Sequence, residues 1–366
     1  MKNKKLLALM GSISLVVILL VTSLLSGCGT KEAEVIELSY NQFFPPVHLI
    51  YNVHEYLADQ MNKRTDGRVN ITVYPTGTLT SGDKILDGTL AGMSNMGNIV
   101  PGWTPGRFPA CEATAVPIDS KSGWVTTHVS TDFANEFKPE ENDVFQLLFV
   151  AACGPYMLQT QKPVRTPADT AGLIARSSGD ASKAFLDSLG IASKGMPMGE
   201  VYEAASKGVI NSLLGPPETQ KGFKHNEIFP YITVLPVLVA TPDHIMVNNE
   251  TWDSFPKDIQ KAFLDAAPDM AEAYARTWWY IDIVGTEYAL EMGTEFIEIS
   301  EADKPQWLAL TDGIAAKYIA DKTAMGLPAA EYVRYAEERT EYYNNNHLSA
   351  EECKAWIEKE VLPFKD

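Results

Sequence analysis

Two hydrophobic periods alternate over the first two thirds of the chain, and this constrains the fold more than any other feature. Val35–Tyr40 alternates apolar and polar residues, the period of a half-buried strand. His48–Arg64 instead places Tyr51, His54, Leu57, Ala58 and Met61 on one face at helical spacing. Val69–Tyr74 reads as a second strand, Ser81–Ala91 as a short helix and Met96–Val100 as a third strand. This strand–helix–strand–helix–strand order predicts α/β layers with crossover helices.

A second series follows. Val144–Ala151, Tyr156–Thr160, Leu173–Arg176, Val209–Leu213, Tyr231–Ala240 and His244–Asn248 have strand patterns. Ala181–Leu189 and Gly199–Ser206 have helical ones, and Pro163, Pro167, Pro216, Pro217, Pro236 and Pro242 punctuate the joins. The C-terminal third is helical. Ile259, Phe263, Met270, Tyr274, Trp278 and Ile281 share a helical spacing between Ser254 and Met292. Ser254 is placed to cap that helix, Pro256 fits its first turn, and Pro268 is expected to kink or interrupt it. Ser300–Asp303 looks like the cap of a further helix, and Ala329–Tyr343 is another.

The N-terminus fixes the compartment. Lys2, Lys4 and Lys5 precede an apolar run from Leu6 to Leu25, the layout of a secretory signal. The run is also about long enough to span a bilayer, roughly 20 residues. Leu25-Ser26-Gly27-Cys28 decides between the readings, because it resembles a bacterial lipobox cut before Cys28. Residues 1–27 are therefore expected to be a lipoprotein signal peptide and 28–34 a polar tether. The mature protein would be extracytoplasmic and held to the bilayer through acylated Cys28, since several acyl chains anchor stably where one does not.

The three lysines lost with residues 1–27 take the formal charge from −17 to −20. Such an acidic chain disfavours nucleic acid and anionic lipid as partners. Its overall field also repels anions, so capturing one requires a specific cation inside the site. Cys111, Cys153 and Cys353 do not make a disulfide framework. Cys111 and Cys153 could pair, or all three could be buried thiols. No Cys or His spacing suggests a metal site, and no cofactor is implied. No GxSxG, HExxH, Walker A or GxGxxG motif is present, so the chain is not read as an enzyme. Roughly 340 mature residues exceed one typical core, so two domains are expected.

Arg176 is the strongest site residue. It ends a short strand, and Ser177, Ser178 and Gly179 lead into a helix near Asp180. Ligands of open α/β sheets sit beyond the carboxyl ends of strands, and a helix N-terminus adds positive potential there. The guanidinium fork matches a carboxylate with two parallel hydrogen bonds. On the opposite wall, Asn41, Phe43, Phe44 and His48 follow the first strand, and Trp103 follows the third. Their rings can stack on a ligand ring. Met198 is a further contact candidate. Asp243 and His244 lie where the chain recrosses between domains, with hinge and contact roles both open. Trp278 and Trp279 are read as interdomain packing or a partner surface.

Several segments, in order, resemble the solute-binding proteins of TRAP (tripartite ATP-independent periplasmic) transporters, the DctP family, here in lipoprotein form. They are Val69-Asn-Ile-Thr-Val-Tyr-Pro-Thr-Gly-Thr-Leu79 after Thr65-Asp-Gly-Arg68, then Gly106-Arg-Phe-Pro109 and Gly172-Leu-Ile-Ala-Arg176. Glu200-Val-Tyr-Glu-Ala204, Gly208-Val-Ile-Asn211 and Asn249-Glu-Thr-Trp252-Asp-Ser-Phe-Pro256 follow. The resemblance implies two α/β domains of periplasmic-binding-protein type, joined by crossing strands and a long helix and closing on a ligand. It places 35–157 plus 242–280 in one domain, and 158–241 plus 281–366 in the other. It implies a small organic-acid ligand, TRAP membrane permease subunits as partners, and Arg176 as the main carboxylate partner. The strand beginning at Gly154 lacks the second Arg that many members have, and Gly215 stands where many have Asn. Tyr156 and Gly215 therefore imply a more apolar, roomier wall, suited to an aromatic or bulky monocarboxylate. A solute receptor for an ATP-driven importer or a sensor kinase would have much the same body.

Overall fold

The computed structural model describes residues 35–236 and 239–365. Cys28, the expected lipidation site, lies outside them. From Glu37 onward the described residues form one compact unit built on two sheets.

The first sheet has the order β2-β1-β3-β10-β4. Its strands are β1 (Ile36–Asn41), β2 (Val69–Tyr74), β3 (Met96–Ile99), β4 (Phe145–Ala152) and β10 (Pro242–Asn248). On β2, Val69, Ile71 and Val73 are buried while Asn70 and Thr72 face out, the alternation of a strand with one covered face. β3 and β10 sit centrally and are buried throughout, as strands covered on both faces must be. β1 runs parallel to β3, and β10 runs antiparallel to β3 and β4.

The second sheet has the order β11-β9-β5-β8-β6-β7. Its strands are β5 (Met157–Thr160), β6 (Ile174–Ser177), β7 (Ala192–Gly195), β8 (Ser212–Gly215), β9 (Tyr231–Val234) and β11 (Glu295–Glu298). β5 is antiparallel to β8 and β9, whereas β6 is parallel to β7 and β8. The expected strand 231–240 is therefore shorter, because the chain leaves the sheet after Val234 to return to the first lobe.

Three connections join the lobes. Residues 153–156 lead from β4 to β5, and residues 235–241 lead back from β9 to β10. The two crossings lie side by side, with Tyr156 N–H donating to the Val239 carbonyl at 2.8 Å and Tyr156 Oη donating to Thr241 Oγ1 at 2.7 Å. The third connection follows a 35-residue helix, Lys257–Glu291, which at 1.5 Å per residue is about 50 Å long.

That helix differs from expectation at two points. Ser254 does not cap it. Instead Asn248 Oδ1 accepts the Thr251 N–H and starts a separate short helix, Asn249–Ser254. Pro268 does not interrupt it either. The ring removes one hydrogen bond to the Leu264 carbonyl, but Leu264 and Pro268 are both exposed, so water can take that carbonyl. The sequence pattern assigned no element between Val100 and Val144, where the structure has a helix at Gly123–Phe137, capped by Ser122 Oγ.

Within 281–366, expected with the second sheet, β11 joins that sheet, but the last two helices pack elsewhere. Ala329–Asn345 packs Tyr332, Val333 and Ala336 against Val125, Val129 and Phe133 of the Gly123–Phe137 helix. Ala350–Glu360 packs on the long helix, with Cys353 Sγ donating to the Arg276 carbonyl at 3.0 Å. Apolar faces on both lobes' helices give the tail more than one place to dock, and pattern alone does not choose between them.

Two predictions follow from this packing. Asn248 is buried, and its Nδ2 also donates to the Thr89 carbonyl at 2.8 Å, so it serves two elements. Asn248→Ala should cost about 2–3 kcal/mol from the lost cap and the stranded carbonyl, measured by urea unfolding. Cys111, Cys153 and Cys353 are free and buried, and burial raises all three thiols above their usual range. They should resist alkylation in the native protein and all react in denaturant without reductant. A mass showing one pair protected would contradict this.

Candidate functional site

A narrow cavity lies between the lobes, at the carboxyl ends of β1, β3, β6 and β8. Strand ends converge there because parallel strands of each sheet point their C-termini toward the same edge. The first lobe contributes Phe43 and Phe44 after β1, Trp103 after β3, Asp243 on β10 and Trp278 on the long helix. The second contributes Arg176 and Ser178, Met198, Pro216 and Glu218, and Phe223. Cys153, Tyr156 and Thr241 of the crossing segments complete the wall.

Arg176 is 1 % exposed and is the one buried Lys or Arg among the described residues. Its Nε donates to the Met196 carbonyl at 3.0 Å, which fixes the plane of the guanidinium. Nη1 is buried with no partner, and no carboxylate among the described residues forms an ion pair with this side chain. Burial pushes its pKa down and the nearby Tyr156 opposes this, but a guanidinium stays charged. A buried, unpaired cation costs several kcal/mol. The arrangement is therefore chemically incomplete until an anion enters.

The aromatic wall is continuous. Phe43 packs on Phe44 and edge-on to Trp103, with ring centres 4.1 and 4.6 Å apart. Phe44 meets Trp278 at 5.7 Å. The indole N–H groups of Trp103 and Trp278 are buried without partners.

Of the residues singled out from sequence, the structure brings Arg176, Phe44, Trp103, Tyr156 and Met198 to the cavity. Asn41 lies outside the lining. It is buried, with Nδ2 donating to Thr80 Oγ1 at 2.8 Å and so tying β1 to the loop after β2. His48 also stands behind the wall. Its Nδ1 accepts the Ile50 N–H as a helix cap, which assigns the ring proton to Nε2, and Nε2 donates to Glu218 Oε2 at 2.8 Å. This contact joins the two lobes. Gly215 lies one residue before the lining residue Pro216, against Met198.

Sequence reasoning missed Glu218, Phe223, Thr241 and Cys153 as lining residues, and it read Trp278 as packing. Glu218 had one signal, its place just beyond a strand's carboxyl end. The others reach the cavity only through the crossing of the chain and the course of the long helix. Among the described residues, no group of three or more His, Cys, Asp or Glu side chains is placed to hold a metal ion.

At the closed mouth, Gly102 of the first lobe meets Ser178 and Gly179 of the second. A Cβ on Gly102 would fall on the Ser178 carbonyl oxygen, nearer than any real contact.

Comparison with known proteins places this geometry. A solute-binding protein of Chromohalobacter salexigens is 23% identical over 263 residues, covering 70% of this chain and 77% of its own. A TRAP periplasmic solute-binding protein from Desulfovibrio salexigens, solved as an open complex, is 27% identical. It superposes with a TM-score of 0.74 over 86% of this chain and 98% of its own. A marine-metagenome TRAP solute-binding protein specific for aromatic acids, solved with 3-hydroxybenzoate, has a TM-score of 0.80 at 23% identity, covering 85% and 99%. The family profile described as bacterial extracellular solute-binding protein, family 7 matches residues 40–322, and this chain belongs to that family.

Proposed function

We propose that this protein captures an organic acid outside the cytoplasm and presents it to the membrane permease of a TRAP transporter, without turning it over. One observation carries the reading: a fully buried guanidinium with a free Nη1 faces a cavity between two lobes and has no protein carboxylate as partner. The ligand carboxylate supplies the missing charge, and the guanidinium fork sets its orientation. Acylated Cys28 would hold the protein at the membrane. No helix among the described residues is long and apolar enough to cross one.

The ligand class is narrower than organic acids at large. The cavity holds a single guanidinium, and its walls are Phe43, Phe44, Trp103, Tyr156, Phe223 and Trp278. A monocarboxylate with an aromatic or branched apolar body fits that chemistry. The acid-specific relative solved with 3-hydroxybenzoate shows that this fold accommodates such ligands.

Thermal-shift measurement on the purified protein against an organic-acid library tests this directly. A ligand present at a hundred times its Kd stabilises by about 2.7 kcal/mol. Aromatic or branched monocarboxylates should shift the transition more than C4-dicarboxylates. The opposite order would sink the narrower reading.

Arg176→Met should weaken carboxylate binding by about 2–5 kcal/mol, the usual cost of truncating one side of a buried charge pair. The same change should leave the unliganded protein at least as stable, because it removes an uncompensated buried charge. Equal affinity in the variant, read by calorimetry, would overturn the role given to Arg176.

Gly102→Ala should leave the fold and the open form intact while obstructing the Gly102–Ser178 contact of the closed lobes. Affinity should fall at least tenfold with an unchanged melting temperature for the free protein. Unaltered affinity would show that this contact is not part of closure.

A further inference from the structure

We propose that Asp243 is a specificity-determining residue, receiving a hydrogen-bond donor at the end of the ligand away from Arg176 and rejecting a second carboxylate there. This inference rests on the acid-binding reading above and adds what the other end of the molecule must be.

Asp243 is 5 % exposed and lines the cavity. It pairs with Ala151 in the register of β10 against β4. Its neighbour His244 packs on Phe108 and Phe145, so strand alternation sends Asp243 to the opposite face. Among the described residues its carboxyl has no hydrogen-bond or ion-pair partner, although buried carboxyls ordinarily have one. It is separate from Arg176, since no ion pair joins them despite their shared cavity. The nearby acid is Glu218, already engaged by His48 Nε2.

The cavity therefore holds two groups of opposite character: a guanidinium with a free Nη1, and an unsatisfied carboxyl near a second carboxylate. A second ligand carboxylate would be buried against Asp243 and Glu218, a like-charge placement that costs affinity. A hydroxyl or an ammonium group would instead give Asp243 its missing partner. Burial and Glu218 both raise the Asp243 carboxyl, so this part of the cavity disfavours negative charge before any ligand enters. A hydroxyl can donate to that carboxyl without adding charge, whereas an ammonium pairs with the carboxylate and offsets its charge.

The test is calorimetric titration of two matched ligand series. One is benzoate with hydrogen, hydroxyl, aminomethyl or carboxylate at the meta or para position. The other is hexanoate, 6-hydroxyhexanoate, 6-aminohexanoate and adipate, which covers an aliphatic ligand. In whichever series binds, the wild-type protein should prefer a donor-bearing acid over its unsubstituted parent by at least tenfold. It should disfavour the dicarboxylate by at least tenfold. Asp243→Ala should bring all four affinities within about threefold of one another. Asp243→Asn, of nearly the same shape, separates the two donors: it should keep a hydroxyl preference and lose an ammonium preference.

A wild-type protein that binds the dicarboxylate as tightly as the parent acid, or gains nothing from either donor, overturns the role of Asp243. The acid-binding reading survives that result if Arg176→Met still weakens binding of the parent acid. Failure of both series to bind wild type overturns both. Unchanged ratios in a folded Asp243→Ala protein, with its thermal transition intact, also overturn the proposal.

Discussion

A charge buried without a partner is unfavourable in any protein, and Arg176 is such a charge. The fold holds it in place through the Met196 carbonyl and the end of β6 but leaves it uncompensated. Other features of the site make sense around this deficit. Aromatic side chains line the cavity and lower its effective dielectric, which strengthens whatever anion–guanidinium contact forms there. The acidic surface of the chain repels anions at a distance, so retention depends on this one local cation.

The architecture makes that local chemistry conditional on closure. The cavity wall is drawn from both sheets, and neither lobe alone surrounds Arg176. The lobes meet directly through His48 and Glu218 and through the glycine contact at Gly102. The paired crossing segments and the long helix fix how the lobes face each other. Tyr156 illustrates the economy of the arrangement. It binds the neighbouring crossing segment through its backbone and hydroxyl, and it also presents its ring to the cavity.

Much of the fold was legible from periodicity. The strands of the first sheet read clearly where burial alternates, as on β2, and where apolar residues run on, as on β10. Legibility failed where two signals competed for one segment. Ser254 and Asn248 are both capping residues, and only the register of β10 puts Asn248 at a helix start. Pro268 is a helix breaker by chemistry, but an exposed position removes most of the penalty. In the site, Arg176, Phe44, Trp103, Tyr156 and Met198 were found because strand ends and ordered motifs mark them. Asn41 and His48 follow the same strand end, yet their side chains are taken up by Thr80 and Glu218.

The sequence by itself determined the α/β class, the acidic net charge and the cation at the end of a short strand. Those properties depend on local spacing and residue chemistry, which a linear pattern carries. Only the tertiary structure decided that Arg176 lacks a protein carboxylate, that Trp278 and Glu218 share its cavity, and that Asp243 stands unpartnered in it. Each of these is a relation between residues far apart in the chain. Such relations are set by how the chain crosses between two sheets and how one long helix spans them, and no local period encodes that.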